Sequence, residues 1–188
     1  MALTLNDITT LLTTQGDKQY GGEAVSQLEH ALQCAYLAEC AQESDETIVA
    51  ALLHDIGHLL SAGKSITLSS ALISSTDSTD DLHQYIALPF IRTLFSDAVL
   101  EPIKLHVDAK RYLCAVDKSY WSTLSEASKK SLEIQGGIYS DQEALNFEAS
   151  NYGQHAIRLR RYDDSAKIPG ALSPALDHYL NIMHRVAI

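Results

Sequence analysis

Val49-Ala50-Ala51-Leu52-Leu53-His54-Asp55-Ile56-Gly57-His58 sets a histidine and an aspartate inside an otherwise apolar run. The run reads as part of a helix from Thr47 to Leu60, ending near Gly63, whose apolar residues belong in a core. A charged pair in that place is costly unless something compensates it. A bound metal ion would do so. An adjacent His and Asp is weak evidence by itself, so its weight depends on what surrounds it.

Helix signals recur on both sides. Ser26, with Glu29 three residues on, forms a capping box ahead of Leu28, Leu32, Ala35, Tyr36 and Leu37 at helical spacing. Asp81 to Phe95 reads as a helix with Leu82, Ile86, Ile91 and Leu94 as its inward stripe, and Asp97 as the cap of another reaching about Val107. Ser125 to Gln135 is a shorter helix stopped by Gly136-Gly137. Asn146 or Phe147 through Ser165 is a long one, and Ser173-Pro174 opens the last. Ser65 to Asp80 is polar and reads as a loop. Alternating β-branched runs are absent. The expected fold class is all-α, and the lack of repeats, low-complexity tracts and linkers points to one domain over residues 1–188.

Composition bounds the rest. A chain of 188 residues that is 46% hydrophobic and 20% charged can bury a real core. The formal net charge of -10 argues against a nucleic-acid binder relying on a basic footprint. No apolar run reaches the roughly 18 to 20 residues of a membrane span, and Met1 to Thr14 lacks a secretory pattern. The expectation is a cytoplasmic protein, monomeric or weakly oligomeric, acting on a small molecule. Cys34, Cys40 and Cys114 have no metal-finger spacing and read as ordinary thiols. The cations crowd between positions 100 and 170. Most suit a solvated face, but a few could converge on an anion.

The aspartate–histidine pair has company. His30 lies on the preceding helix, His83 and His106 on the next two, and Asp163 near the end of a later one. Four imidazoles and two carboxylates from separate helices suit iron, manganese or zinc rather than metals that prefer thiolates.

The order His30…His54-Asp55…Asp163 resembles the HD-domain superfamily, most of whose members hydrolyse phosphate esters with a metal-bound water. His83 and His106 mark the subset with two metal ions. In that subset Asp55 would bridge, one ion taking His30, His54 and Asp163 and the other His83 and His106. A narrower resemblance covers nearly the whole chain. Gln19 through His30, His54-Asp55-Ile56-Gly57-His58, His106 through Leu113, Ser128 through Gly137 and Arg160 through Lys167 are all similar to the mixed-valent di-iron oxygenases that cleave organophosphonates. The related inositol-cleaving oxygenase also pairs its last aspartate with a lysine four residues on, as Asp163 and Lys167 do here.

That resemblance implies two iron ions, Fe(II) and Fe(III), with dioxygen as co-substrate. The reaction implied breaks the carbon–phosphorus bond of a 1-hydroxy-2-(amino or trimethylammonio)ethylphosphonate, giving inorganic phosphate with glycine or glycine betaine. It also implies that Lys110, Ser128, Ser131, Gln135 and Arg160 hold the phosphonate, that Tyr20 occupies an iron site until substrate displaces it, that Glu23 meets the substrate's ammonium group, and that His58 hydrogen-bonds to bound substrate or ligand, these three being the candidate catalytic residues. Spacing agrees. Lys110 lies one turn after His106, Arg160 one turn before Asp163, and Ser128, Ser131 and Gln135 form one stripe of donors. The sequence departs from the family around Ser78-Thr79-Asp80-Asp81-Leu82, where the acids either aid a cationic substrate end or cap a helix. Tyr152, Tyr162 and Trp121 are further aromatic candidates. An HD phosphohydrolase acting on a nucleotide or phosphate ester is the alternative, and a metal-stabilised binding domain without catalysis is the third reading.

Overall fold

The computed structural model describes residues 2–62 and 82–188. The expected loop from Ser65 to Asp80, the helix end at Gly63 and the roles considered for Asp80 and Asp81 lie outside them. Among the described residues every regular element is a helix, and the sole extended pairing is a single bridge between Gln19 and Ser26.

Thr4 and Ser26 start their helices by the same device. Each hydroxyl accepts from the backbone N–H three residues on, while Asp7 and Glu29 reach back to the cap residue's own N–H. These open α1 (Leu5–Gln15), which the sequence reading did not anticipate, and α2 (Gln27–Cys40). Ser44 caps α3 (Asp45–Leu53), in which Thr47 through Leu53 are all buried.

The helix expected from Thr47 to Leu60 is broken in two. His54 and Asp55 form a turn before α4 (Ile56–Ala62), closed by the His58 N–H donating to the Asp55 carbonyl at 3.0 Å. The break has a chemical reason. Neighbours on a continuous helix point about 100° apart, whereas the turn lets His54 Nε2 and Asp55 Oδ2 approach to 3.3 Å.

The helix expected from Asp81 to Phe95 is also two pieces, α5 (His83–Ile86) and α6 (Leu88–Ile91). Pro89 has no N–H to donate back one turn, so the ladder fails there. Leu82 is exposed, with a left-handed φ of 52°, and so does not join the inward stripe. Ile91 does. Beyond it, α7 (Asp97–Val116) is capped at Ser96 rather than Asp97 and runs well past Val107.

α8 (Tyr120–Thr123) is a single turn, and α9 (Glu126–Ile134) follows its Ser125 cap closely as expected. The long helix expected from Asn146 or Phe147 to Ser165 starts only at Gly153, as α11 (Gly153–Ser165), and its first residues belong instead to the end of a separate α10 (Asp141–Glu148). At the division the Ser150 hydroxyl takes the Phe147 carbonyl at 2.7 Å, an alternative to the helical ladder. α12 (Leu176–Val186) begins after Pro174 rather than at it.

Two apolar clusters hold the helices together. One gathers α1, α2, α3, α12 and the first half of α7, with Leu52, Leu53, Ile91, Ile103 and Tyr179 at its centre. The other lies between the second half of α7 and α8 to α11, around Leu113, Leu132 and Phe147. Burying one such Leu or Ile contributes about 1.5–3 kcal/mol. Along α7, His106 falls between Ile103 of the first cluster and Ala109 of the second. The seam between them is where the polar residues meet.

Candidate metal centre and the adjoining cavity

His30 on α2, His54 and Asp55 at the α3–α4 turn, His83 on α5, His106 on α7 and Asp163 on α11 are all buried and converge. Residues far apart in sequence are thus brought to one point by five separate pieces of chain. His83 owes its place to a glycine: a Cβ on Gly57 would sit 2.1 Å from the His83 carbonyl oxygen, so only glycine lets α4 and α5 approach so closely.

The ring orientations carry information. His30 Nδ1 lies 2.8 Å from the Ala166 carbonyl oxygen, His54 Nδ1 2.9 Å from that of Ala51, and His106 Nδ1 2.6 Å from that of Ile103. A carbonyl can only accept, so each Nδ1 carries the proton and each Nε2 presents a lone pair. Yet His30 and His54 bring their Nε2 atoms to 3.3 Å, and those of His83 and His106 lie 3.0 Å apart.

The carboxylates add to the crowding of acceptors. Asp55 Oδ2 lies 3.3 Å from His54 Nε2 and 3.7 Å from His30 Nε2, while its Oδ1 lies 3.2 Å from His83 Nε2 and 3.5 Å from His106 Nε2. Asp163 Oδ1 approaches His30 Nε2 to 3.4 Å. Asp55 Oδ2 and Asp163 Oδ1 are buried without a hydrogen-bond donor. Donor atoms about 2.1 Å from one ion at about 90–110° are themselves roughly 3.0–3.4 Å apart. The spacing is that of donor atoms able to share an ion, in two groups joined by Asp55. The donor set therefore fits a pair of nitrogen- and oxygen-liking metal ions.

Titration follows the same logic. Burial favours neutral Asp55 and Asp163, but His54 and His83 around the first, and Arg160 and His30 around the second, hold both carboxyls well below the ordinary range. Burial, then His83 and His54, push His106 well down. Cys34 is buried on α2 with its sulfur 3.6 Å from His30 Nε2, and burial raises its thiol well above the usual value. Held as a neutral thiol, it is a poor ligand. Cys34, Cys40 and Cys114 are all free.

A cavity of about 370 Å³ opens beside this cluster. His83, His106, Asp55 and Asp163 line it, and so does each of the eight residues singled out in the sequence. Tyr20 and Glu23 come from the loop before α2, where Gly21 and Gly22 take φ of 54° and 123°. The Tyr20 ring stacks on His30 at 3.9 Å, and His58 stacks on His83 at 4.1 Å. Trp121, Tyr152 and Tyr162 do not line the cavity; Tyr162 instead donates to Glu43 at 2.8 Å.

The opposite wall is cationic. Lys110 is nearly fully buried and donates to Ser131 Oγ at 2.7 Å. Burial, and then the neighbouring Arg160, bring its amine down to about 7. Arg160 is clamped on three sides: Nη1 meets Asp163 Oδ2 at 2.7 Å, Nη2 donates to Asp164, and Nε donates to the Tyr120 hydroxyl at 3.3 Å. Tyr120 in turn donates to Asp164. Gln135 holds its Oε1 buried with no donor to accept from.

Sequence reasoning missed Tyr120 and Asp164 and gave Lys167 no role. Lys167 donates to Ser128 Oγ at 3.1 Å and lies 3.8 Å from Asp163 Oδ1. Asp164 and Lys167 had a legible signal, lying one helical turn beyond Arg160 and Asp163. Tyr120, on a four-residue helix distant in sequence, had none.

An all-helical fold that gathers this histidine and aspartate set at its centre is that of an HD domain, with residues that could hold metal ions. The HD-domain pattern matches residues 28–133, and the chain belongs to that family. The match spans five of the six clustered residues, Asp163 lying beyond it. Over 190 residues the chain is 40% identical to a hydroxymethylphosphonate dioxygenase of Gimesia maris, covering 94% of this chain and 92% of that protein. Over 172 residues it is 35% identical to a [1-hydroxy-2-(trimethylamino)ethyl]phosphonate dioxygenase (glycine-betaine-forming) of Leisingera caerulea, covering 92% and 84%. No helix among the described residues is long and apolar enough to cross a membrane.

Proposed function

We propose that this chain is a cytoplasmic oxygenase, built as a single HD domain, that uses two iron ions and dioxygen to cleave the carbon–phosphorus bond of a 1-hydroxyphosphonate. The observation that carries the reading is the joining of two donor groups through the two oxygens of Asp55, directly beside a wall of buried cations. A metal-dependent hydrolase would use the cluster as well. The names of the relatives favour the oxygenase, since both are phosphonate dioxygenases.

His30, His54 and Asp163 would hold one iron and His83 and His106 the other, with Asp55 shared. Bound there, a ferrous ion would supply the electron that activates dioxygen and a ferric ion would act as Lewis acid toward the substrate. The protein's own part is binding, orientation and charge. Lys110 and Arg160 would neutralise the phosphonate, with Ser128 and Ser131 as hydroxyl partners. The clamp on Arg160 keeps its remaining N–H groups aimed without rotamer search. Gln135 Oε1 would accept from a donor on the substrate. Tyr20 and His58, stacked on His30 and His83, wall the metals from water, and the glycines beside Tyr20 allow its loop to yield when substrate enters.

The reaction balances with one dioxygen per substrate. The C1–H and C1–P bonds break, one oxygen atom completes a carboxylic acid at C1, and the other completes phosphate. Oxygen uptake and phosphate release, measured with hydroxymethylphosphonate in air and under nitrogen, are expected in equal amounts in air and absent without oxygen. Equal phosphate in both gases would return the protein to the phosphohydrolases.

A further inference from the structure

α9 and its cap supply much of the cavity wall, through Ala127, Ser128, Lys130, Ser131, Ile134 and Gln135. Yet only Ser128 and Leu132 of the helix are buried. So little apolar burial places a helix loosely, and polar fastenings decide where it sits. Three of these involve the cavity itself. Lys110 donates to Ser131 Oγ at 2.7 Å, Lys167 to Ser128 Oγ at 3.1 Å, and Ser125 Oγ to Glu23 at 2.5 Å. A phosphonate entering the cavity would compete with α9 for both lysines.

A fourth fastening lies outside the cavity. Just beyond α9 the Gly137 N–H donates to the Leu132 carbonyl at 2.9 Å, with Gly136 and Gly137 at φ of 100° and 72°. Such an ending turns the two glycine carbonyls away from the helix. Arg111 of α7 takes both, Nε donating to Gly137 at 2.8 Å and Nη2 to Gly136 at 3.1 Å. Glycine at 136 also makes room, since a Cβ there would lie 3.1 Å from Nη2 and 3.2 Å from Cζ of Arg111. The guanidinium is held on its other sides too. It lies over the Tyr139 ring at 4.2 Å and 3.8 Å from carboxylate oxygens of Asp108 and Glu143. Tyr139 steadies Asp108 by donating to it at 2.7 Å. A planar fork held this way serves two carbonyls at once, which a lysine cannot do.

We infer that Arg111 is a positioning residue for phosphonate binding: its grip on the Gly136 and Gly137 carbonyls fixes the preceding Gln135 in the cavity wall when substrate draws the lysines away from α9. Arg111 does not line the cavity, so it acts through Gln135 and touches no substrate atom. The inference rests on the phosphonate oxygenase reading and adds to it a residue outside the pocket.

The test measures KM and kcat for hydroxymethylphosphonate in air, and its calorimetric Kd under nitrogen, on the iron-loaded protein. Arg111→Met is expected to raise KM and Kd about tenfold, the worth of one hydrogen bond to a charged group, with kcat and iron content unchanged. Arg111→Lys, which can keep one carbonyl, is expected to fall between that variant and the wild type. Gln135→Ala should raise KM by a similar factor. The double variant should be little worse than either single one, because both changes remove the same contact. A merely structural role predicts otherwise: kcat or iron lost in Arg111→Met with KM and Kd unmoved, or single effects that multiply to about a hundredfold. Either result overturns the inference and leaves the oxygenase standing. Should Arg111→Met not fold, Arg111→Lys with and without Gln135→Ala decides in its place. No oxygen-dependent phosphate from the wild type would overturn the proposed function and this inference with it.

Discussion

The two sides of the metal cluster are built differently. His30 and His54 form the back. They are fully buried, do not line the cavity, and stand on or beside α2 and α3 with both Nδ1 atoms fixed by backbone carbonyls. His83 and His106 form the front and line the cavity. His106 is as well anchored as the back pair, but His83 sits on a helix of four residues that begins beside a left-handed Leu82 and depends on Gly57 for its position. One side is core architecture that happens to end in nitrogen atoms. The other is a wall that a ligand can touch, faced by Lys110, Arg160 and Lys167, the last two paired with Asp163, Asp164 and Glu23. Rigidity is placed behind the donor cluster and accessibility in front.

Five substitutions would break or sharpen this contrast, and the largest effect belongs to the residue both sides share. Asp55→Ala should abolish iron binding altogether and with it activity, by at least about 10⁴-fold in kcat/KM. In metal-free buffer the same change should leave the melting temperature unchanged or raise it, because an orphaned buried carboxylate costs about 1–3 kcal/mol. A variant that still loads both irons would remove Asp55 from its shared position.

Next come the two sides themselves. His83→Ala should retain one iron per chain and a normal fold, whereas His54→Ala should lose iron and also about 2 kcal/mol of unfolding free energy from the cavity it leaves. Both should lose about 10³-fold in activity. Identical denaturation curves for the two would erase the distinction.

Asp164→Asn loosens the clamp on Arg160 without touching metal or cavity, so a loss of about 10–100-fold is expected, mostly in KM for the phosphonate. An unchanged KM would leave the clamp without a role in binding.

The smallest effect concerns stability. Lys110 is brought from 10.5 to about 7 in the folded chain, by burial and then by Arg160. Between those values the unfolded chain binds the extra proton, so stability gained from this group rises with pH and the full penalty is felt below about pH 7. Lys110→Met should therefore stabilise the metal-free protein by about 2 kcal/mol near pH 6 and by steadily less toward pH 10. A gain independent of pH would show that the amine is not the source of strain.

The back of the site was legible in the sequence and the front less so. An aspartate and a histidine inside Val49 to Leu53 and its continuation can only be buried, and the capping box at Ser26 fixes the register that turns His30 inward. The breaks were harder to see. Apolar periodicity continues through His54-Asp55, so nothing in the pattern announces that the helix stops there for the sake of the side chains. Pro89 did announce a break, and the periodic reading of Asp81 to Phe95 overrode it. Ser150 competes for a helical carbonyl, a local chemistry that a count of apolar positions does not register. Contacts such as Glu23 with Lys167, or Arg160 with Tyr120, depend on which helices become neighbours, and no spacing within one segment encodes that.

The central claim is that the six residues hold two irons as a pair rather than separately. Anaerobic loading with ferrous iron, followed by partial oxidation, iron quantification and electron paramagnetic resonance, tests it directly. Two irons per chain with the spin-coupled signal of a mixed-valent pair is the result this account predicts. One iron per chain, or an isolated high-spin ferric signal alone, would contradict it.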